Sequence, residues 1–160
     1  MLNITIIAIG KLKEQYLRDA SAEYTKRLST LCKLNIIELP AEKLSDTPSR
    51  KEIENALLAE SKRIIEKIPK GSKVYTMCIE GKQRSSEELS AELDMTATSG
   101  ISSVVFIIGG SFGLSEDVKK LSSSRLSMSK MTFPHQIARI MLLEQIYRSL
   151  QISIGTKYHK

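Results

Sequence analysis

Continuous apolar runs alternate along the chain with segments whose apolar positions recur every three or four residues. The runs Asn3–Ile9, Lys33–Leu39, Lys73–Ile79 and Val104–Ile108 read as strands. Gly10 closes the first and Pro40 the second, and the last is apolar throughout, as expected for a strand covered on both faces. Between them, Glu14–Leu31 carries Leu17, Ala20, Tyr24, Leu28 and Leu31 at helical spacing. Ser49-Arg-Lys-Glu52 is a capping box opening a helix with Ile53, Leu57, Ile64 and Ile68 before Pro69. Ser85-Ser-Glu-Glu88 is a second capping box, leading into Leu89 and Leu93. Beyond Ile108, Ser115–Leu121 reads as a short helix with Glu116 and Asp117 at its positive end. Arg125–Met128 reads as a last strand, and Pro134 sits in the first turn of a final helix reaching about Leu150.

This alternation predicts an α/β domain with a mainly parallel sheet and helices on both faces. The 160 residues fit a single domain, residues 1–160, with a core of ordinary size. The run Ala41–Thr47 is polar loop rather than a linker, and no internal repeat is present.

Composition narrows the setting. A net charge of +6 suits a polyanionic partner, although a solvated basic surface gives the same number, because the lysines and arginines are spread along the chain. No apolar run is long enough to span a membrane, and the apolar amino end lacks a basic leader and small-residue cleavage site. Cys32 and Cys78 form neither a disulfide framework nor a zinc motif, so a reduced cytoplasmic location and no metal are expected.

Four stretches carry candidate chemistry. The strand Val104–Ile108 empties into Gly109-Gly-Ser-Phe-Gly113. Glycines there allow either a plain tight turn or close approach to a ligand at the carboxyl end of a strand. Ile108 stands where a dinucleotide fingerprint needs its first glycine, and no phosphate-binding P-loop motif exists. Met128-Ser-Lys-Met-Thr-Phe133 either plugs the core or offers backbone groups and apolar walls to a ligand. In the final helix, Ile137, Ile140, Leu142, Leu143, Ile146 and Leu150 cover more than one stripe, which points to a central core helix or to a dimer built on it. Arg139, Glu144 and Arg148 lie within that apolar field, and ion pairing serves them as well as catalysis does. His135 beside Pro134 caps or packs. The chain ends on Lys157-Tyr158-His159-Lys160, three of them suited to hydrogen bonding, proton transfer and phosphate contact.

Phe106-Ile-Ile-Gly-Gly-Ser-Phe-Gly-Leu114, together with the Tyr158-His159-Lys160 ending, resembles the small SPOUT-class methyltransferases that modify a pseudouridine in 23S ribosomal RNA. The resemblance covers the whole chain and is densest after Val104. It implies a trefoil-knotted sheet, which no periodicity would suggest. It implies an S-adenosylmethionine pocket made by Met77, Gly109, Gly110 and the run Met128, Ser129, Lys130, Met131, Thr132 and Phe133. It implies N3-methylation of a pseudouridine on assembled ribosomes by a homodimer joined through the last helix. His159 is then the expected weak base and Tyr158 the base-holding residue. Arg139, Lys157 and Lys160 are expected at phosphate, with Arg139 also placed near the chemistry. Family members commonly carry leucine near Met77, a volume-conserving difference, and Thr156-Lys157 departs from the usual tail. The competing reading is a non-catalytic ribosome-binding module of the same fold, which would have no need of the glycine and methionine loops.

Overall fold

The computed structural model describes residues 1–159, so Lys160 lies outside the described residues. The elements alternate strictly: β1 (Asn3–Ile9), α1 (Gln15–Leu28), β2 (Lys33–Leu39), α2 (Arg50–Glu66), β3 (Lys73–Gln83), α3 (Ser86–Thr98), β4 (Ser103–Ile108), α4 (Glu116–Leu121), β5 (Ser124–Ser127) and α5 (His135–Ser153). All five strands are parallel in the order β2-β1-β4-β3-β5. The central strands β1 and β4 are buried almost along their length, which accounts for their unbroken apolar runs.

Alternation along the strands divides the core into two layers. Ile4, Ile6, Val104, Phe106 and Tyr75 face α1, α3 and α5, while Ile7, Ile9, Val105 and Ile107 face α2 and α4. Tyr75 and Phe106 stack at 4.9 Å between centroids in the first layer. Both capping boxes form reciprocally. The Ser49 hydroxyl accepts from the Glu52 amide at 3.1 Å and Ser85 accepts from that of Glu88 at 3.0 Å, each carboxylate bonding back to the cap amide. A cap of this kind contributes about 1 kcal/mol.

Most boundaries shift by one to three residues from the sequence reading, and two of the differences bear on the site. β3 continues to Gln83: after an irregularity between Met77 and Lys82, Lys82 and Gln83 pair with Leu126 and Ser127 of β5. Their polar side chains give no strand signal, because the partner strand supplies the reason for pairing. Pro134 is the N-cap of α5 rather than a residue of its first turn.

Much of the breadth of apolar positions on α5 is taken up by the chain's own core. Leu142, Leu143 and Ile146 are fully buried in the chain's own core, between the sheet and helices α1 and α3. Only Ile137 and Ile154, near its two ends, remain substantially exposed.

Candidate functional site

The carboxyl ends of β3, β4 and β5 open into a cleft of about 780 Å³, closed on one side by the start of α5. The volume suits a nucleoside-sized ligand. The glycine loop forms its floor. The Gly113 amide donates to the Gly110 carbonyl at 3.0 Å, and Gly113 has φ +76°, which folds Ser111 and Phe112 out as a lip. At Gly109 a Cβ would lie 2.4 Å from the Gly113 carbonyl oxygen, so only glycine lets the loop close on the strand end. Gly110 is looser, since a Cβ there would meet Ile9 Cγ2 at 3.3 Å.

Of the residues expected at a cofactor, Met77, Gly109, Gly110, Met128, Ser129, Met131, Thr132 and Phe133 all line this cleft. Lys130 does not; it is exposed, between two lining residues. The loop is held by its own serines: Ser127 Oγ donates to the Ser129 carbonyl, and Ser129 Oγ accepts from the Met131 amide, both at 3.0 Å. Backbone groups are thus presented between apolar side chains, which is the chemistry an adenine ring requires.

Several lining residues carry no signal in the sequence. Cys78, Glu80 and Lys119 stand at the open edge, where Lys119 Nζ donates to Glu80 at 2.6 Å and holds that carboxyl below its usual pKa. Burial pushes the Cys78 thiol up, so it stays protonated. His135 lines the cleft rather than merely capping α5. Burial first, then Arg139 and Lys13, lower its pKa from the usual value of 6.5 and favour the neutral ring. Unfolding lets that ring take up a proton at a pH where the folded protein excludes it. Stability is therefore full above about pH 6.5 and falls as pH drops through the folded-state value. Thermal melts at about pH 7.5 and about pH 5.5 should show this loss, and His135→Gln should reduce it. An identical loss in the variant would contradict the assignment.

Arg139 is held in a buried ion pair. It is 2% exposed, with Nη1 paired to Glu38 Oε2 at 2.6 Å and Nη2 donating to the Gly10 carbonyl at 3.0 Å. The charge within α5 braces the carboxyl ends of β1 and β2 against the helix.

The tail is docked, not frayed. Tyr158 donates to Glu144 Oε2 at 2.8 Å, sits edge-on to Tyr147 and lies under the Arg148 guanidinium. Burial and then Glu144 raise its pKa. His159 Nδ1 lies 3.2 Å from Arg148 Nη1 and its Nε2 lies 2.6 Å from Glu87 Oε1. Arginine can only donate, so Nδ1 accepts and Nε2 carries the proton given to Glu87. Both ring nitrogens are engaged, and His159 reaches a substrate only by exchanging one of these partners. The Glu144–Arg148 pair expected from spacing is present at 2.7 Å. Lys157 is exposed.

Among the described residues no helix is long and apolar enough to cross a membrane, and no cluster of His, Cys, Asp or Glu could hold a metal ion.

A parallel α/β sheet whose carboxyl edge opens on a glycine-floored, apolar cleft is the arrangement in which open α/β folds place their ligand sites. The chain belongs to the SPOUT methyltransferase family: residues 2–159 match the family model described as "Predicted SPOUT methyltransferase". It is 52% identical over 159 residues to the ribosomal RNA large subunit methyltransferase H of Bacillus thuringiensis subsp. konkukian, covering 99% of this chain and 100% of that one. The protein of that name from Pediococcus pentosaceus is 50% identical over the same shares. The fold is also similar to that of a probable methylase family protein from Haemophilus influenzae, with a TM-score of 0.55 and 11% identity, covering 99% of this chain and 71% of the other.

Proposed function

We propose that this chain methylates 23S ribosomal RNA at N3 of a pseudouridine, on assembled ribosomes in the cytoplasm, using S-adenosylmethionine. The observation that carries the reading is the cleft: the glycine loop, Met77 and the 128–133 loop, separate in sequence, meet around one volume of fitting size. The names of the full-length relatives support the ribosomal substrate. A module that only bound ribosomes would gain nothing from such a cleft.

The residues fit the cofactor by their backbone. Gly109 and Gly110 let the chain approach closely, the serine-braced loop presents amides and carbonyls, and Met77, Met128 and Phe133 supply apolar contact. When bound, the cofactor supplies a methyl on a sulfonium whose S–C bond breaks, its electron pair staying on sulfur, as the new N–C bond forms. The chain's part is to position the ring nitrogen and accept its imide proton. Placement supplies much of the acceleration. His159 is the base, directly or through water, once its Nδ1 leaves Arg148, and Tyr158 holds the ring. Lys157 and Lys160 meet phosphate. The family's trefoil threading belongs to the same reading.

We also assign a homodimer that uses α5. Its support is the exposure of Ile137, at 38%, in the first turn of α5 and of Ile154, at 62%, just past its last residue. Ile146→Glu would unfold the monomer, since that side chain is fully buried. Ile137→Glu is the cleaner variant. The native chain should sediment as a dimer at micromolar concentration and the variant as a folded monomer. A monomeric native chain contradicts the assignment.

Calorimetric titration with S-adenosylmethionine, followed by labelled methyl transfer to ribosomes lacking the modification, tests the function. Saturable binding with transfer is expected; binding without transfer would favour the non-catalytic module.

A further inference from the structure

We propose that a second cavity, beside the cofactor cleft, receives the acceptor base, a uracil-type ring read through its imide edge. The proposal rests on the reading of the chain as an rRNA methyltransferase. The cavity measures about 330 Å³ and lies between the start of α3, the end of β5 and the middle of α5. Leu126, Ser127 and Met128 belong to the walls of both cavities. Donor and acceptor are therefore neighbours across one short strand end.

The helix α5 ties the three parts of the site together. His135 and Ala138 line the cofactor cleft, and Met141 and Glu144 line the second cavity. These four residues, each three positions after the last, form one ridge along the helix surface. Glu144 then accepts from Tyr158, and Glu87, next to the lining residue Ser86, holds His159. The ridge leads from the cofactor, through the second cavity, to the tail assigned to base holding and proton removal.

The lining chemistry matches an imide. Such an edge presents two carbonyl acceptors flanking one N–H. Ser86 Oγ donates to Gln145 Oε1 at 2.5 Å, which fixes the amide and leaves its Nε2 protons as donors for a ring carbonyl. Leu89, Leu126, Met128 and Met141 supply apolar contact for the ring faces. Arg84 is a wall and not a phosphate clamp, because Glu92, Ser124 and the carbonyls of Lys82 and Arg125 already hold its guanidinium. With one carbonyl held on Gln145, the ring nitrogen is left to face the shared wall and the methyl donor.

The test uses the full chain, with ribosomes as substrate and a hairpin RNA carrying 4-thiouridine at the target position as a photo-crosslinking probe. Gln145→Leu and Ser86→Ala should leave S-adenosylmethionine affinity within about twofold and lower kcat/KM for ribosomes by about tenfold or more, the cost of an unmade buried hydrogen bond. Crosslinks should map to peptides around Ser86 and Met141–Gln145. Two folded variants that methylate like the wild type, or crosslinks confined to other peptides, would overturn the proposal. A wild-type chain that transfers no methyl would instead refute the parent reading, and the crosslinks would still decide where the base sits.

Discussion

Gly109→Ala should cost the protein its cofactor while leaving the sheet folded. The added Cβ would sit 2.4 Å from the Gly113 carbonyl oxygen and 2.5 Å from its carbon, both backbone atoms that cannot turn aside. The loop must open to relieve the contact, and opening displaces the floor of the cleft. A fall in S-adenosylmethionine affinity on the order of a hundredfold is expected, equivalent to about 3 kcal/mol. The two cores contain neither Gly109 nor Gly110, so cooperative unfolding should survive. Gly110→Ala is the control: its Cβ meets only a side-chain methyl at 3.3 Å, which can give way, and the loss should be much smaller. Equal and near-native affinity in both variants, measured by calorimetry, would remove the glycine loop from the site.

Truncation after Lys157 should abolish methyl transfer by about a thousandfold while sparing cofactor affinity. Among the described residues the tail makes none of the cleft's walls, yet it holds the residues assigned to the base and its proton. The tail also contributes to packing, because Tyr158 packs on Tyr147 at 4.8 Å between centroids and bonds Glu144. Its loss should therefore lower stability measurably, by about 1 kcal/mol. Melting temperature, cofactor affinity and ribosome methylation on one sample separate these effects. Near-normal methylation by the truncated chain would rule out the tail's role.

The elements were legible where local chemistry decides them. Ser49-Arg-Lys-Glu52 and Ser85-Ser-Glu-Glu88 announce helix starts because both halves of each cap lie within four residues, and Val104–Ile108 announces a central strand because both faces are covered. Strand order was not legible, since nothing in β3 records that β4 and β5 flank it. The destination of Arg139 was hidden for the same reason: its partners Glu38 and Gly10 are more than 100 positions away. The glycine and methionine loops could be read as a site only through their resemblance to a family. His135 could not, because its meaning depends on α5 starting at the cleft edge. The docked tail was equally invisible, as Glu87 and Tyr147 carry no mark of the residues that meet them.

Ribosomes lacking the modification should be incubated with the protein and S-adenosylmethionine, and the nuclease digest of their 23S rRNA resolved by mass spectrometry. One methyl per ribosome, on N3 of a single pseudouridine, is the predicted result; no methyl on that rRNA, or methyl only on other RNA or on protein, would contradict it.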